Sequence, residues 1–244
     1  MTTITGVFEP FVFEAVETKQ KCSRCGAMFS PDMDIIEAFP SIADVCDDCL
    51  DVAYSVAEDA EKFREKKRAE DAFAAICPPD YRNPDESKFP SAWKEIAKNF
   101  RSTIDRGMGA GLRGATGTGK TTFAYYLLRK ASVEYGMKCY SISAMTLSRY
   151  SVEQFNSSKD RKYEAENALR EIKHCGVLLL DDLGKARMSE RYEAEIFDMV
   201  EYRTSWHKPI IWTSNATPEQ LSAMFGADRG DPIMRRLLQR CVTA

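Results

Sequence analysis

From residue 90 onward, short apolar runs alternate with longer segments whose apolar residues recur every three or four positions. The longer segments predict helices over residues 91–105 and 120–135. The short runs predict buried strands over residues 109–113, 137–143, 177–180 and 209–213. The last two runs are almost continuously apolar, as parallel strands covered on both faces require. Strands alternating with helices predict an α/β fold with a parallel sheet and flanking helices.

The first third of the chain has a different pattern. Alternation of apolar and polar residues over 11–17 predicts a short strand, and four apolar residues at helical spacing predict an amphipathic helix over 53–76: Val52, Val56, Ala60 and Phe63. The prolines of Cys77-Pro-Pro-Asp-Tyr-Arg-Asn-Pro end this helix. The pattern therefore predicts a small module over 1–52, a helical linker over 53–76 and a main domain over 77–244.

Composition limits the class of protein. The chain has 244 residues, of which 44% are hydrophobic and 29% are charged, and no apolar run approaches the ~20 residues of a membrane helix. The N-terminus carries no basic segment followed by an apolar stretch, so no secretory signal is predicted. The expected location is the cytoplasm, without membrane association.

Charge is distributed unevenly. Residues 1–60 carry twelve acidic and three basic residues, a net charge of −9, which leaves +6 for residues 61–244 of a chain with net charge −3. An acidic front repels nucleic acid and suits a protein partner, whereas a basic body can hold a phosphate backbone. Both regions could equally be solvated surfaces.

A glycine-rich segment lies between the strand predicted at 109–113 and the helix predicted at 120–135. Its sequence is Gly114-Ala-Thr-Gly-Thr-Gly-Lys120-Thr121, the pattern of a phosphate-binding loop whose backbone amides surround a triphosphate. Lys120 is expected to reach the β- and γ-phosphates of ATP, and the Thr121 hydroxyl to bind Mg²⁺. The candidate nucleotide-binding residues are Gly114, Ala115, Thr116, Gly117, Thr118, Gly119, Lys120, Thr121 and Thr122.

Two acids end the apolar run that begins at Val177. In Val177-Leu-Leu-Leu-Asp181-Asp182, Asp181 is expected to hold the Mg²⁺ shell and Asp182 to polarise the attacking water. Asn215 follows the next predicted strand, where it could orient that water or contact the γ-phosphate. These residues predict an ATPase that forms ADP and phosphate.

Four of the eight cysteines are paired as Cys22-x-x-Cys25 and Cys46-x-x-Cys49. This spacing is typical of a structural Zn²⁺ site with four thiolate ligands, and an iron–sulfur cluster is the alternative. The other four are scattered singly and are expected to be small buried apolar residues.

The predicted metal site is flanked by acids, namely Asp44, Asp47, Asp48 and Asp51. Because acids beside a four-thiolate site repel DNA, the module is expected to dock a protein. Four apolar residues could contact that partner or could form the core of the module: Phe8, Phe11, Met28 and Phe29.

Several motifs in this order resemble the AAA+ ATPases of the DnaC/IstB type. They are the glycine-rich loop at 114–121, Leu-Leu-Leu-Asp-Asp-Leu-Gly at 178–184, Lys-Pro-Ile-Ile-Trp-Thr-Ser-Asn at 208–215 and Ile-Met-Arg-Arg-Leu at 233–237. The Pro-Pro-Asp-Tyr-Arg segment at 78–82 adds to the resemblance, which covers roughly residues 75–244. It implies a replicative-helicase loader or a transposition accessory ATPase.

The resemblance also implies an assembly. Subunits would form a ring or spiral with ATP, the module would bind the hexameric replicative helicase, and Arg236 would act as an arginine finger in the site of a neighbour, with Arg235 as the second candidate. Asp182 stands where many AAA+ proteins have Glu, which suggests slow hydrolysis. Eight residues follow Arg236, so the small helical lid of most AAA+ proteins is expected to be absent.

Two segments mix cations with aromatic residues, as single-stranded DNA binding requires. The first contains Arg149, Tyr150, Phe155, Lys159, Arg161 and Lys162, and the second runs from Lys185 to Tyr192. Both could instead be solvated helix faces. Three functions remain: a helicase loader that binds single-stranded DNA, an IstB-like transposition accessory ATPase that binds double-stranded DNA, and a nucleotide-gated adaptor that binds proteins alone.

Overall fold

The computed structural model describes residues 19–30, 42, 44–226 and 228–243. The chain divides into two compact units, Met1–Arg64 and Glu65–Ala244. The strand predicted over 11–17, together with Phe8 and Phe11, lies outside the described residues. The domain boundaries predicted from the sequence remain a proposal.

The first unit contains a small antiparallel hairpin. Strand β1 (Gln20–Lys21) pairs with β2 (Met28–Phe29), and Gly26 provides a left-handed residue in the connecting turn. Among the described residues of this unit, a buried cluster contains Cys22, Val45 and Cys46, and Phe29, Cys49 and Leu50 pack against it.

Helix α1 (Asp47–Ile76) begins six residues before the predicted 53–76 helix. Asp47 and Asp48 lie in its first turn, where the positive end of the helix dipole favours acids. The amphipathic prediction is wrong for its first half: Val52 and Phe63 are 62% and 69% exposed. Further along, Phe73 is buried in the core of the second unit.

The second unit is built on a five-stranded parallel sheet. Its strands are β3 (Gly109–Arg113), β4 (Cys139–Ser143), β5 (Val177–Asp181), β6 (Ile210–Ser214) and β7 (Cys241–Thr243), in the order β4-β5-β6-β3-β7. The predicted α/β fold class is confirmed. The four predicted strands match β3 to β6 within two residues at either end, whereas β7 was not predicted.

Eight helices of this unit flank the sheet or its loops in the described part of the chain. They are α2 (Ser91–Lys98), α3 (Phe100–Asp105), α4 (Lys120–Arg129), α5 (Ala144–Glu153), α6 (Lys159–His174), α7 (Glu190–Ser205), α8 (Pro218–Met224) and α9 (Gly230–Gln239). The helix predicted over 91–105 is divided at Asn99, whose side-chain amide donates to the carbonyl oxygen of Glu95. The helix predicted over 120–135 continues from α4 as a π-helical turn, Lys130–Glu134.

Apolar side chains fill both faces of the sheet. Successive residues of a strand point to opposite faces, so Ile211 belongs to the core cluster that contains Phe123, whereas Trp212 belongs to the cluster that contains Tyr192. Three of the scattered cysteines are buried, Cys77, Cys175 and Cys241, and Cys139 is half-buried. Among the described residues no helix is both long and apolar enough to cross a membrane.

Arg203 of α7 is fully buried without a carboxylate partner among the described residues. Its guanidinium donates instead to backbone carbonyl oxygens, including those of Ile172 (2.9 Å), Cys175 (3.1 Å) and Pro209 (2.7 Å). Burial lowers the pKa of this group. Arg203 thus joins the end of α6 to the loop that precedes β6.

Candidate nucleotide site and cysteine cluster

The glycine-rich loop connects the end of β3 to the start of α4. Gly117 (φ 83°) and Gly119 (φ 87°) have left-handed backbones, which glycine adopts without steric cost. A side chain at Gly117 would meet no atom within 4 Å, so the loop is open there. Gly119 directly precedes α4, and the free amides at the start of a helix attract phosphate.

Lys120 is buried and folded back onto the loop. Its Nζ donates to the carbonyl oxygens of Gly114 (2.8 Å) and Ala115 (2.7 Å). Burial lowers its pKa, and the nearby Asp182 and Asp181 carboxylates oppose that shift. The loop carbonyl oxygens therefore accept the hydrogen bonds that the Lys120 ammonium group would otherwise donate to a phosphate.

Asp181 at the end of β5 accepts two hydroxyl hydrogen bonds on one carboxylate oxygen. Thr121 Oγ1 donates over 3.0 Å and Thr213 Oγ1 over 2.6 Å. Burial raises the pKa of Asp181, and these two hydrogen bonds partly offset the effect. Hydroxyl and carboxylate oxygens are the ligands that Mg²⁺ prefers, so the adjacent Thr121 and Asp181 side chains fit that ion.

Asp182 has a left-handed backbone with φ 59°, which is uncommon for a residue with a side chain. Its amide donates to Thr213 Oγ1 (2.8 Å), and the Leu183 amide donates to the Thr213 carbonyl oxygen (2.8 Å). The buried Thr213 side chain thus holds both acids. Thr213 was not predicted as a site residue, although a polar side chain inside an apolar strand was a signal for it.

These residues line one cavity of about 310 Å³. Asn215 lies at its edge and donates from Nδ2 to Thr116 Oγ1 over 3.1 Å, which brings the strand β6 end onto the glycine-rich loop. The lining residues are Tyr81, Thr116, Gly117, Gly119, Lys120, Thr121, Thr122, Asp182, Lys185 and Asn215. Most of the predicted loop residues therefore lie around a single cavity with Asp182 and Asn215, and Asp181 lies beside it through its hydrogen bond from Thr121.

Two of the lining residues were not predicted as members of this site. The ring of Tyr81 stacks on Tyr125 with centroids 5.2 Å apart and planes 6° apart. Lys185 Nζ pairs with Asp182 Oδ2 at 2.8 Å. The signal for Tyr81 was its position in the Pro-Pro-Asp-Tyr-Arg segment, whereas no sequence pattern separated Lys185 from a surface lysine.

The two candidate finger arginines differ in their surroundings. Arg236 pairs with Glu201 (3.3 Å) and its guanidinium lies 5.4 Å from the centre of the Phe197 ring. Arg235 is exposed, and within the described residues no carboxylate lies within 4.0 Å of its guanidinium. Arg235 can thus reach a neighbouring molecule without breaking an ion pair, whereas Arg236 must give up Glu201.

The four paired cysteines form a cluster in the first unit. The Sγ atoms of Cys22, Cys25, Cys46 and Cys49 all lie within 4.8 Å of one another, and those of Cys25 and Cys46 are 3.6 Å apart. Zinc–sulfur bonds of about 2.3 Å in a tetrahedron place sulfur atoms about 3.8 Å apart. The cluster therefore fits a tetrahedral metal ion.

Backbone amides stabilise a thiolate in this cluster. Cys22 Sγ accepts from the amides of Arg24 and Cys46, each at 3.4 Å. Backbone hydrogen bonds, of which that from Cys25 is the largest contribution, lower the pKa of Cys22 to about 6. Thiolates are the form of cysteine that binds metal.

The surface around the cluster is acidic, since Asp44, Asp47, Asp48 and Asp51 are all exposed. Of the two described apolar candidates for partner contact, Phe29 packs against the cysteine cluster and Met28 is exposed. Phe29 therefore belongs to the core of the unit, and Met28 remains available for contact.

The two predicted DNA-binding segments meet in space, but not all of their residues are accessible. Tyr150 and Tyr192 are buried, so neither can stack on a base. Phe155 is 66% exposed, and the guanidinium of Arg191 lies 4.7 Å from the centre of its ring. Phe155 and Arg191 therefore form an exposed aromatic and cationic pair.

A parallel sheet that carries a phosphate-binding loop, an acidic strand end and a polar residue at the end of the neighbouring strand is the arrangement of a P-loop ATPase. The sequence profile described as "IstB-like ATP binding protein" matches residues 92–243, and the chain belongs to that family. The resemblance inferred from the motifs is thus confirmed. No curated protein matches the chain.

Solved structures share the fold. The crystal structure of DnaI has a TM-score of 0.57 and 20% sequence identity to this chain, and the match covers 68% of this chain and 93% of the DnaI chain. The crystal structure of the DnaC helicase loader has a TM-score of 0.52 and 23% sequence identity, and the match covers 66% of this chain and 91% of that chain. AMPPCP-bound DnaA from Aquifex aeolicus has a TM-score of 0.53 and 21% sequence identity, and the match covers 68% of this chain and 50% of that chain. The part of this chain that shares the fold therefore matches nearly the whole of the DnaI and DnaC chains.

Proposed function

We propose that this chain is an ATP-dependent helicase loader acting in DNA replication. Its cysteine module would bind the replicative helicase, and its ATPase units would assemble on single-stranded DNA. The observation that carries the proposal is the acidic, four-cysteine module attached to an ATPase unit whose fold is similar to the DnaC helicase loader over most of that chain. An acidic surface favours a protein over DNA as the partner of the module.

The nucleotide site suggests how ATP would be held. Thr121 and Asp181 would bind Mg²⁺, which neutralises phosphate charge when bound. Lys120 would leave the carbonyls of Gly114 and Ala115 for the β- and γ-phosphates. Asp182 would accept a hydrogen bond from the attacking water, and Asn215 would orient that water or the γ-phosphate.

Two variants test these roles separately. Lys120→Ala should lose ATP turnover and most nucleotide affinity because it removes the loop cation. Asp182→Asn should retain nucleotide affinity at least as high as the native protein and lose turnover, because its side chain can no longer accept the proton of the water. Calorimetry and phosphate release measure the two quantities. Full activity in Lys120→Ala would refute the site.

Docking through the module is tested by reversing one charge. Asp48 and Asp160 each lie exposed in the first turn of a helix, α1 and α6 respectively, so Asp48→Lys and Asp160→Lys lose the same dipole interaction. Only Asp48→Lys should weaken binding to the hexameric replicative helicase of the source cell in analytical ultracentrifugation. Equal weakening in both variants, or none in either, would contradict docking on the module.

The finger is tested by two single variants. If a guanidinium from a neighbouring subunit completes the site, its loss should reduce turnover by about 10³-fold without changing nucleotide affinity. The resemblance to the DnaC/IstB type implies that Arg236 is the finger, whereas Arg235 is the more exposed of the two arginines in the free chain. Arg235→Ala and Arg236→Ala, each assayed across a range of protein concentrations, identify the group. Turnover independent of concentration would refute a finger supplied in trans.

The type of DNA separates the main proposal from its alternative. The alternative is an IstB-like transposition accessory ATPase that binds double-stranded DNA; the motif resemblance implies it, and the family that matches this chain is described as IstB-like. Phe155→Ala should weaken single-stranded DNA binding several-fold, since base stacking contributes ~1–3 kcal/mol. Trp206→Ala is the matched control, because Trp206 is also aromatic and both residues are 66% exposed. Anisotropy with both forms of DNA decides the matter, and binding of neither form would favour the protein-only adaptor.

A further inference from the structure

Lys185 is the only cation besides Lys120 that lines the nucleotide cavity within the described residues. Its Nζ lies 2.8 Å from Asp182 Oδ2, the carboxylate proposed to orient the water. Its side chain is 48% exposed, and that of Asp182 is 31% exposed. The positive charge of Lys185 is close enough to Lys120 to contribute to the lowered pKa of the latter. Both lysines can therefore act on the same ligand.

The backbone beneath this ion pair is held at several points. The Leu183 amide donates to the Thr213 carbonyl oxygen (2.8 Å), and the Leu183 carbonyl oxygen accepts from Ser214 Oγ (2.6 Å). The Lys185 amide closes the turn by donating to the Asp182 carbonyl oxygen (3.1 Å). The Lys185 side chain, with its flexible four-carbon stem, is therefore the part of this turn that can move most easily.

The charges in the cavity set up a competition. Without nucleotide, Lys185 is held by the Asp182 carboxylate. A γ-phosphate placed between the loop and Asp182 adds a second, more highly charged anion within reach of the same ammonium group. An exposed lysine–carboxylate pair contributes little to stability, so exchanging it for a phosphate contact costs little. The contacts of the ammonium group with Asp182 and with phosphate are both charge-assisted, and the γ-phosphate carries the greater negative charge.

We propose that Lys185 is a γ-phosphate sensor that holds Asp182 inactive until ATP is bound. On binding ATP, Lys185 transfers to a γ-phosphate oxygen and leaves the Asp182 carboxylate free to accept a hydrogen bond from water. ADP lacks the γ-phosphate, so Lys185 stays on Asp182 in that state. The inference rests on the role of Asp182 in the proposed function. It also replaces the sequence-based assignment of Lys185 to a DNA-binding segment.

The test measures affinity rather than turnover. Lys185→Gln should bind a non-hydrolysable ATP analogue with Mg²⁺ about tenfold or more weakly, the usual scale for a hydrogen bond to a charged group. Its affinity for ADP should be unchanged. Lys138→Gln is the control, because Lys138 also pairs with a carboxylate, that of Glu171 at 2.7 Å, but does not line the cavity. Equal loss for the analogue and ADP, or no loss for either, would overturn the proposal.

A double-mutant cycle tests the exchange itself. Asp182→Asn frees Lys185, so it should increase affinity for the ATP analogue more in the native background than in the Lys185→Gln background. If Lys185 only shields Asp182, the larger increase should occur in the Lys185→Gln background, and the proposal fails. Lys120→Ala distinguishes failure of the Lys185 proposal from failure of the proposed nucleotide site. If Lys120→Ala loses nucleotide affinity but Lys185→Gln does not, the assignment of the nucleotide site stands and only the role of Lys185 is refuted.

Discussion

The substitution Thr213→Val tests the hydrogen-bond network beneath the two acids. Threonine and valine have nearly the same shape, and Thr213 is fully buried, so the change removes a hydroxyl while leaving almost no cavity. That hydroxyl donates to Asp181 Oδ1 (2.6 Å) and accepts from the Asp182 amide (2.8 Å). In the variant the Asp182 amide loses this acceptor, and Asp181 keeps only the hydrogen bond from Thr121 Oγ1.

The expected loss of stability follows from those two contacts. A buried amide left without an acceptor costs about 1–3 kcal/mol, and a hydrogen bond to a charged carboxylate contributes about 1.5–3 kcal/mol. Water reaching the cavity side of Asp181 recovers part of this, so the loss should be roughly 2–4 kcal/mol. The pKa of Asp181 should also rise further, because one of the two hydrogen bonds that lower it is gone.

Urea unfolding without nucleotide measures this loss, and Thr213→Ser is the control. Serine keeps the hydroxyl and loses one methyl group, which should cost only about 1 kcal/mol. The valine variant should therefore be clearly less stable than the serine variant, and its ATP turnover should fall because Asp182 loses the contact that fixes its backbone. A valine variant as stable as the serine variant would refute the reasoning.

Three further outcomes are expected. Gly184→Ala should lose about 1–2 kcal/mol in urea unfolding, because its φ of 95° is unfavourable for alanine and the new Cβ would lie 2.8 Å from Leu221 Cδ2. Arg203→Met should lose about 3 kcal/mol or more in the same assay, since several buried carbonyls lose their donor. Protein purified without chelator should contain about one Zn²⁺ per chain, and Cys46→Ser should abolish binding of the metal while nucleotide affinity survives. Wild-type protein free of zinc and iron would contradict the metal site.

The fold was predictable where one local pattern dominates. The buried strands β3, β5 and β6 were found because their apolar runs are bounded by glycines, acids or proline. Strand β7 was missed because Cys241-Val-Thr is short, and its pairing with β3 depends on residues far away in sequence. The exposed apolar residues of α1 have helical spacing, which correctly predicts a helix. Spacing alone does not predict whether another part of the chain packs against that helix face and buries it.

The site was predictable only where its residues are contiguous. The glycine-rich loop and the two acids carry their chemistry in short motifs, so the sequence predicted both the loop and Asp182, which line one cavity, and Asp181, which accepts a hydrogen bond from Thr121 of the loop. Thr213, Tyr81 and Lys185 belong to the site through contacts that form only in the folded chain. Their spacing from the motif residues along the sequence does not predict those contacts. Tyr150 and Tyr192 were assigned to DNA because composition does not distinguish a buried ring from an exposed one.

The left-handed backbone at residue 182 restricts which acid can serve there. Most side chains lose about 1–2 kcal/mol in this conformation, whereas Asp and Asn are better tolerated because their short side chains hydrogen-bond locally. Glutamate lacks that compensation, so Asp182→Glu would strain the turn that also positions Leu183 and Lys185. The short carboxylate at this position then follows from the shape of the turn, and lengthening it by one methylene would not yield a faster enzyme.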